Sequence, residues 1–259
     1  MRLMDEATPN KAKPSEADML AKNHQFYTSL WAAAHLVQPE LFNTWPLISD
    51  LITQYPRRLE VAPGLRPRLP VAGTQFVDIS LPALEVLQQQ GGSISSASIN
   101  QLPFDNHCFD LVCALDIIEH VDDDLGAMSE LSRVAADNAI LLISTPLHAA
   151  FWTPFDELVG HRRRYAPTDF VALLKSNGFE VLQSAAFGMK PKSSRLVNLG
   201  MYLLQRNPKR AMWWYNKIMP LTLRFQKPLI LTQGLIDTDQ VGEIFLVCRK
   251  TCAQQLNNE

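Results

Sequence analysis

The chain has 259 residues, 47% of them hydrophobic, and a formal net charge of −2. A chain of this length buries a sizeable core, and we expect one α/β domain with additions rather than two full domains. A sequence pI of about 6.3 lacks the basic surplus of nucleic-acid-binding proteins, so no nucleic-acid partner is expected. The four cysteines form no CxxC pair and no zinc-type spacing, which predicts reduced thiols and no metal site.

The N-terminal part predicts a helical preface to the core. Residues 1–14 are polar and expected to be flexible, and residues 1–17 lack the basic start and apolar stretch of a secretory signal, which predicts a cytoplasmic protein. Helices are predicted at 15–34 and 39–54 from capping residues and apolar spacing. We expect the apolar face of this preface, residues 15–56, to pack in the core, with an active-site lid as the alternative.

Alternating strands and helices follow, which is typical of βαβ units and a parallel sheet. Residues 109–115 form a continuous apolar run, as expected for a strand covered on both faces. Strands are predicted at 58–61, 74–79, 93–99, 109–115, 139–144, 179–186 and 241–248, and helices at 82–90, 122–135 and 168–176.

Three segments carry a family resemblance. The first strand ends in the small residues Ala62 and Gly64, the second carries Asp78 at its end, and Leu102-Pro103-Phe104 leads into an apolar strand followed by Asp116-Ile117-Ile118-Glu119-His120. Over roughly residues 57–187 the chain resembles class I S-adenosylmethionine-dependent methyltransferases of the kind that modify quinone precursors and other small molecules.

The resemblance implies a Rossmann-like methyltransferase sheet of seven strands, six parallel and one antiparallel, with helices on both faces. The core would span residues 57–187, a helical insertion 188–240, and the last strand with its tail 241–259. The activity implied is methyl transfer from S-adenosyl-L-methionine, with S-adenosyl-L-homocysteine as product, to a small-molecule or lipid-linked acceptor. A non-catalytic methyltransferase-like binding module is the alternative. A nicotinamide dehydrogenase is disfavoured because the G-x-G-x-x-G pattern is missing.

Two departures from the family pattern affect the donor site. The family's first turn usually carries three alternating glycines, whereas this chain has Ala62, Gly64 and Arg66. Arginine cannot adopt a positive φ cheaply, so an ordinary backbone is predicted at Arg66. Ser98 stands where the family often has an acid or amide that reaches the adenine, so we expect adenine recognition through backbone groups.

The resemblance also implies a set of donor-binding residues. Glu60, Ala62 and Gly64 would lie at the methionine end of the donor, and Asp78 would accept hydrogen bonds from the ribose hydroxyls, as acidic residues do after second strands of nucleotide-binding sheets. The remaining predicted wall of the donor site consists of Ile79, Ser98, Ile99 and Leu115.

Catalytic candidates follow the fourth strand. Because the sulfonium donor supplies the activation, the protein mainly has to align the reactants. His120, with Glu119 beside it, is the predicted general base for a hydroxyl acceptor, and Asp116 is expected to face the methionine moiety or the acceptor. The alternative for His120 is a cap on the next helix. Asp122–Asp124 are expected to favour a helix N-terminus rather than bind metal.

Acceptor-binding candidates come from the segment after the fifth strand. Residues 160–165, Gly-His-Arg-Arg-Arg-Tyr, resemble a Gly-His-x-Arg-Arg-Tyr stretch of related bacterial methyltransferases. The arginines are predicted to bind a carboxylate or phosphate of the acceptor, with internal ion pairs to Asp156, Glu157 or Asp169 as the alternative. The predicted acceptor-binding residues are His148, His161, Arg163 and Tyr165.

The insertion, residues 188–240, is rich in aromatic and basic residues. Its length requires structure of its own. Two helices are predicted, interrupted near Asn207-Pro208 and strained or ended near Pro220, and no apolar run approaches the ~20 residues that span a bilayer. We expect a cap over the acceptor, with a homodimer surface and a peripheral membrane contact through 196–235 as alternatives.

Overall fold

A computed structural model of the protein describes residues 28, 30–188, 202–203 and 206–251. The strands are β1 (Arg58–Val61), β2 (Thr74–Asp78), β3 (Ser93–Ser96), β4 (Phe109–Leu115), β5 (Ala135–Pro146), β6 (Phe179–Ala186), β7 (Thr232–Gln233) and β8 (Glu243–Lys250). The α-helices are α1 (Trp45–Gln54), α2 (Leu81–Gln89), α3 (Asp124–Val134), α4 (Pro154–Val159), α5 (Pro167–Ser176) and α6 (Pro208–Leu223). Short 3-10 helices cover Pro39–Leu41, Ile118–His120 and Ala149–Phe151.

All eight strands form one sheet, in the order β3-β2-β1-β4-β5-β8-β6-β7. Strands β1 to β5 pair in parallel, and β8 lies antiparallel between β5 and β6. Strands β1 to β6 therefore run in the same direction and β8 runs opposite to them, which confirms the predicted fold class. The additional strand is β7, which pairs antiparallel with β6 and forms the end of the sheet. Its two residues are too few to show any periodic pattern.

The core lies on both faces of the sheet. On one face, Leu59 and Val61 of β1 pack in a cluster with residues of α3 and α5. On the other face, Ile48 of α1 packs against Leu111 and Cys113 of β4. Side chains alternate between faces along a strand, so Glu60, between two core residues of the first face, points to the face that α1 covers.

Several predicted boundaries differ from the structure. The predicted helix at 39–54 is divided, because the 3-10 turn at Pro39–Leu41 ends before α1 begins at Trp45. The third strand ends at Ser96, where its partner β2 ends at Asp78, and not at residue 99. Most of the predicted helix at 15–34 lies outside the described residues.

The insertion contains α6, which begins at the predicted interruption. Asn207 is its N-cap, and the Asn207 Oδ1 atom accepts a hydrogen bond of 3.1 Å from the Arg210 N–H. The helix continues through Pro220 and ends at Leu223, so it ends close to the proline, as predicted, but not at it. Most of the other predicted helix of the insertion lies outside the described residues. Among the described residues, no helix is long and apolar enough to cross a bilayer.

Candidate active site

The carboxyl ends of β1, β2 and β4 lie side by side at one edge of the sheet. These strands are adjacent and parallel, with Glu60 paired to Phe76 on one side and to Cys113 on the other. In open α/β sheets, ligands bind in the crevice outside the carboxyl ends of the strands. Gly64 lies in the turn three residues after β1, and Asp116 follows β4 directly. These two residues therefore lie at the edge where such a ligand would bind.

The turn after β1 is built around two positive φ angles, 54° at both Ala62 and Gly64. A Cβ atom on Gly64 would lie 2.2 Å from ring carbons of Trp31, which packs against the turn. Glycine is therefore required at position 64 by both backbone and space. Arg66 does not adopt a positive φ, which confirms the prediction for the third position.

Asp78 joins this turn to the end of β2. The Gly64 N–H donates to Asp78 Oδ2 over 3.0 Å, and the Ser80 N–H donates to Oδ1 over 2.8 Å. Asp78 is buried, so these bonds hold its carboxylate in one orientation. A carboxylate has about four lone-pair sites, more than these two backbone N–H groups occupy.

Glu60 fixes the loop that follows the turn. Its carboxylate accepts hydrogen bonds from the N–H groups of Arg68 (2.8 Å) and Leu69 (2.9 Å). Residues 62–73, all described by the structure, contain no helix. The two hydrogen bonds to Glu60 therefore hold this irregular loop against the end of β1. Burial raises the pKa of Glu60 to about 7, although the two N–H donors oppose the shift.

Arg68 is a feature of the site that the sequence analysis missed. Its guanidinium lies 3.6 Å from the centroid of the Phe42 ring, and the side chain is 6% exposed. Burial lowers the pKa of Arg68, while the nearby Asp116 carboxylate acts in the opposite direction. The buried Nη1 atom has no hydrogen-bond partner among the described residues. Arginines in loops are mostly on the surface, so no local sequence pattern predicts that this one is buried.

Asp116 lies at the end of β4 with a φ of 51°. Its N–H donates to Ser144 Oγ over 3.0 Å, and the Ser144 hydroxyl donates to Asp116 Oδ1 over 2.6 Å. The residue is exposed. Asp116 is therefore oriented by β5 while its carboxylate remains open to a ligand.

Glu119, His120 and His161 form a buried polar cluster beyond Asp116. His161 Nδ1 lies 2.8 Å from Asp156 Oδ1, and His161 Nε2 lies 3.7 Å from Glu119 Oε1. The rings of His120 and His161 meet edge to face with centroids 4.7 Å apart. Burial and the nearby charge of Asp116 raise the pKa of Glu119 well above its usual value.

Burial, assisted by the neighbouring His161, lowers the pKa of His120 to about 3. The imidazole is then neutral and weakly basic at neutral pH, which is unfavourable for the general base predicted here. The alternative role as a helix cap is wrong, because Asp123 is the N-cap of α3 and its Oδ1 accepts a bond of 2.8 Å from the Gly126 N–H. This cap confirms the prediction that the aspartate run favours a helix N-terminus.

The same cluster could hold a divalent cation. One ligand atom each from Glu119, His120 and His161 lies within 4.8 Å of the others, and imidazole with carboxylate suits zinc and similar metals. The hydrogen bond from His161 to Asp156 is of the kind that orients metal-binding histidines. The expectation of no metal site stays a prediction.

Asp156 is the hub of the segment after β5. It forms two hydrogen bonds of 3.0 Å with Arg164, and its Oδ2 accepts from the Thr153 hydroxyl over 2.7 Å. Arg164 also donates to the Leu147 carbonyl over 3.2 Å. This is the internal ion pair that the sequence analysis held as the alternative to anion binding.

Arg163 and Tyr165 meet at Asp124, the first residue of α3. Arg163 forms an ion pair with Asp124 Oδ2, which also accepts a bond of 2.7 Å from the Tyr165 hydroxyl. Arg162 pairs with Asp122 at 3.0 Å. All three arginines of the segment therefore have carboxylate partners inside the protein, and the prediction that they bind an anion of the acceptor is not supported. Arg163 and Tyr165 line a surface cavity of about 560 Å³.

The remaining predicted residues lie apart from these contacts. Ile99 packs in the core with 5% exposure, because β3 has already ended, and it does not offer an open surface for an adenine ring. His148 Nε2 lies 2.8 Å from the Thr238 carbonyl oxygen. Ile79 and Leu115 are half-buried at the ends of their strands, and Ser98 is exposed.

The insertion and the N-terminal preface meet over the glycine turn. Asn216 of α6 donates to the Ala33 carbonyl over 2.8 Å and accepts from the His35 N–H over 2.9 Å. The Arg66 guanidinium lies 5.1 Å from the Trp31 ring centroid and 5.8 Å from that of Tyr215. These contacts place α6 beside the glycine turn.

The chain is similar to methyltransferases in part of its sequence and in its fold. Residues 68–143 match the sequence model described as a methyltransferase domain, whereas no curated protein sequence matches the chain significantly. A solved S-adenosylmethionine-dependent methyltransferase of Thermotoga maritima is similar in fold, with a TM-score of 0.54 and 14% identity over 92% of this chain and 95% of that one.

Two further structures are similar in fold. The [4+2]-cyclase SpnF has a TM-score of 0.55 at 16% identity, covering 93% of this chain and 97% of the cyclase. A phosphoethanolamine N-methyltransferase of Haemonchus contortus, solved with S-adenosylhomocysteine, has a TM-score of 0.53 at 16% identity over 93% of this chain and 61% of that one. A cyclase among these structures illustrates that fold alone does not set the reaction.

Proposed function

We propose that this chain, whose residues 68–143 match a methyltransferase-domain model, is a class I methyltransferase that binds S-adenosylmethionine and methylates a small-molecule or lipid-linked acceptor. The observation that carries the proposal is the buried Asp78 carboxylate, which two backbone N–H groups orient at the carboxyl end of β2, against the glycine turn. An acidic residue in this place is suited to accept both ribose hydroxyls of a nucleoside.

The methionine end of the donor fits the charges beyond the turn. Arg68 has a buried guanidinium nitrogen without a partner among the described residues, and a carboxylate would satisfy it with a charge-assisted hydrogen bond. Glu60 and Asp116 lie close enough to influence the pKa of Arg68, and their carboxylates suit an ammonium group. We assign Arg68 to the carboxylate of the donor and Glu60 to its ammonium group.

The bound donor would supply a methyl group activated by its sulfonium. The protein's part is to align the acceptor, exclude water and receive a proton where the acceptor carries one. Asp116 is exposed at the edge of the site, next to Glu119. His161, which Asp156 orients through Nδ1, is the better-placed histidine for holding that proton at Nε2. Methyl transfer would then yield S-adenosylhomocysteine and the methylated acceptor.

One observation favours the second candidate function, a binding module without turnover. The Trp31 ring packs directly on Gly64, where a donor would approach the turn. In an enzyme, this ring has to move or form part of the donor site.

The test is calorimetric titration with S-adenosylmethionine and S-adenosylhomocysteine. We expect Asp78→Ala to weaken both by roughly 1–3 kcal/mol, the cost of losing hydrogen bonds to a charged group. Asp110→Ala is the matched control, because Asp110 lies at the opposite end of β4 and pairs with Arg57. Absence of binding by the folded wild-type protein would refute the proposal, and binding without methyl transfer to any screened acceptor would favour the module.

A further inference from the structure

Helix α6 presents two apolar faces. The inner face carries Met212 and Leu223, which are buried. The outer face carries Trp214, Ile218 and Leu221 at helical spacing, continued by Phe225 just beyond the helix end, and all four side chains are exposed. At 100° per residue the two faces point in opposite directions. A monomeric protein rarely exposes such a continuous apolar strip unless something covers it.

Up to residue 236, the charged residues of the insertion are all basic. Between Glu180 and Asp237 the sequence contains no acidic residue. Nine lysines and arginines lie in that interval, which leaves 15 for the rest of the chain against its 26 acidic residues. Within α6, Arg210 and Lys217 are exposed, as is Arg224 just after it. These three positions recur every seventh residue and form a row along one border of the outer face.

We propose that the outer face of α6 docks on a lipid bilayer with anionic headgroups. An exposed apolar strip with tryptophans, bordered by basic residues, is the pattern of a helix that lies in the membrane interface. Trp213 and Trp214, both exposed, suit the boundary between headgroups and acyl chains. Positively charged segments gain further attraction from anionic lipids.

A second copy of the chain fits this face less well. A symmetric dimer through α6 would bring two acid-free, basic segments together, and like charges at an interface are unfavourable. A bilayer with anionic headgroups attracts this basic segment instead of repelling it, because the charges are opposite.

Docking would also bring the site to the lipid surface. The inner side of α6 is joined through Asn216 to Ala33 and His35, beside the glycine turn. The lipid contact itself does not depend on methyl transfer. If the proposed function holds, docking would let a lipid-linked acceptor reach the site without leaving the membrane.

The experiment is flotation of the full-length protein with vesicles of phosphatidylcholine alone or mixed equally with phosphatidylglycerol. We expect at least about tenfold tighter binding to the anionic vesicles, reduced by added salt, and a blue shift of tryptophan fluorescence. Leu221→Glu should abolish the binding. Leu81→Glu is the matched control, since Leu81 on α2 is 56% exposed and Leu221 is 57% exposed, and it should bind as the wild type does.

Equal binding to neutral and anionic vesicles, or unchanged binding of Leu221→Glu, would overturn the proposal. A wild-type dimer that Leu221→Glu converts to a monomer, without vesicle binding, would overturn it too and assign the face to a second copy. The affinity of Leu221→Glu for S-adenosylhomocysteine should equal that of the wild type, so failure at the membrane and failure of donor binding give separate results.

Discussion

Replacement of Arg68 by glutamine tests how the donor would be held. The buried Nη1 atom is assigned to the carboxylate of the donor, so its loss should remove a hydrogen bond between charged groups, which contributes about 1.5–3 kcal/mol. At 1.4 kcal/mol per tenfold change, S-adenosylhomocysteine should bind roughly 10- to 150-fold more weakly to Arg68→Gln.

The decisive comparison uses 5′-methylthioadenosine, which keeps the adenosine and sulfur but has no amino-acid carboxylate. Its affinity should change less than about threefold on Arg68→Gln, because the lost bond does not exist in that complex. Arg66→Gln is the matched control, since it removes the same charge from the same loop while leaving Arg68 in place. An equal loss for both ligands, measured by calorimetry, would show that Arg68 only supports the fold and would refute its assignment.

Three further outcomes are expected. Because the raised pKa of Glu60, about 7, leaves it partly protonated near neutral pH, pairing with the ammonium group of S-adenosylhomocysteine should release a proton near pH 7. The release should fall as the pH rises, because Glu60 is then already ionised before the ligand binds. Calorimetry in buffers of different ionisation enthalpy measures this release, and Glu60→Gln should show none. Ala62→Gly should stabilise the protein by ~1 kcal/mol in urea unfolding, because glycine tolerates the positive φ; Gly64→Ala should destabilise it through the Trp31 contact, and equal effects of the two substitutions would contradict this reasoning. Asp156→Asn should cost ~3–5 kcal/mol by leaving a buried guanidinium unpaired, whereas the exposed neighbour variant Glu157→Gln should be near neutral.

Much of the sheet could be predicted from local sequence patterns. Phe109–Leu115 and Phe179–Ala186 were predicted with the bounds that the structure shows. The first is buried along most of its length, which leaves little choice of residue, and the second starts directly after Gly178, which ends the preceding helical segment. The ordinary backbone at Arg66 also followed from residue type alone. The two-residue strand β7 could not be predicted, because its pairing depends on a partner 50 residues away.

The site was less predictable, because its properties depend on which groups become buried together. Three consecutive arginines had many acidic partners to choose from, and sequence spacing could not identify Asp124 as the partner of Arg163. The depressed pKa of His120 arises from burial beside His161, 41 positions later in the chain. The enclosure of the Arg68 guanidinium next to Phe42 results from tertiary packing, which no local pattern around residue 68 indicates.

The position of β8 has a consequence for how the chain completes its fold. This strand, Glu243–Lys250, lies between β5 and β6, so the interior of the sheet stays incomplete until residues 243–250 have been synthesised, long after β5. Until then, β5 and β6 each present an unpaired edge, which is a template for wrong pairing. Long-range pairing of this kind is slow. A ribosome-bound or truncated chain that ends before residue 243 would therefore be especially prone to aggregation.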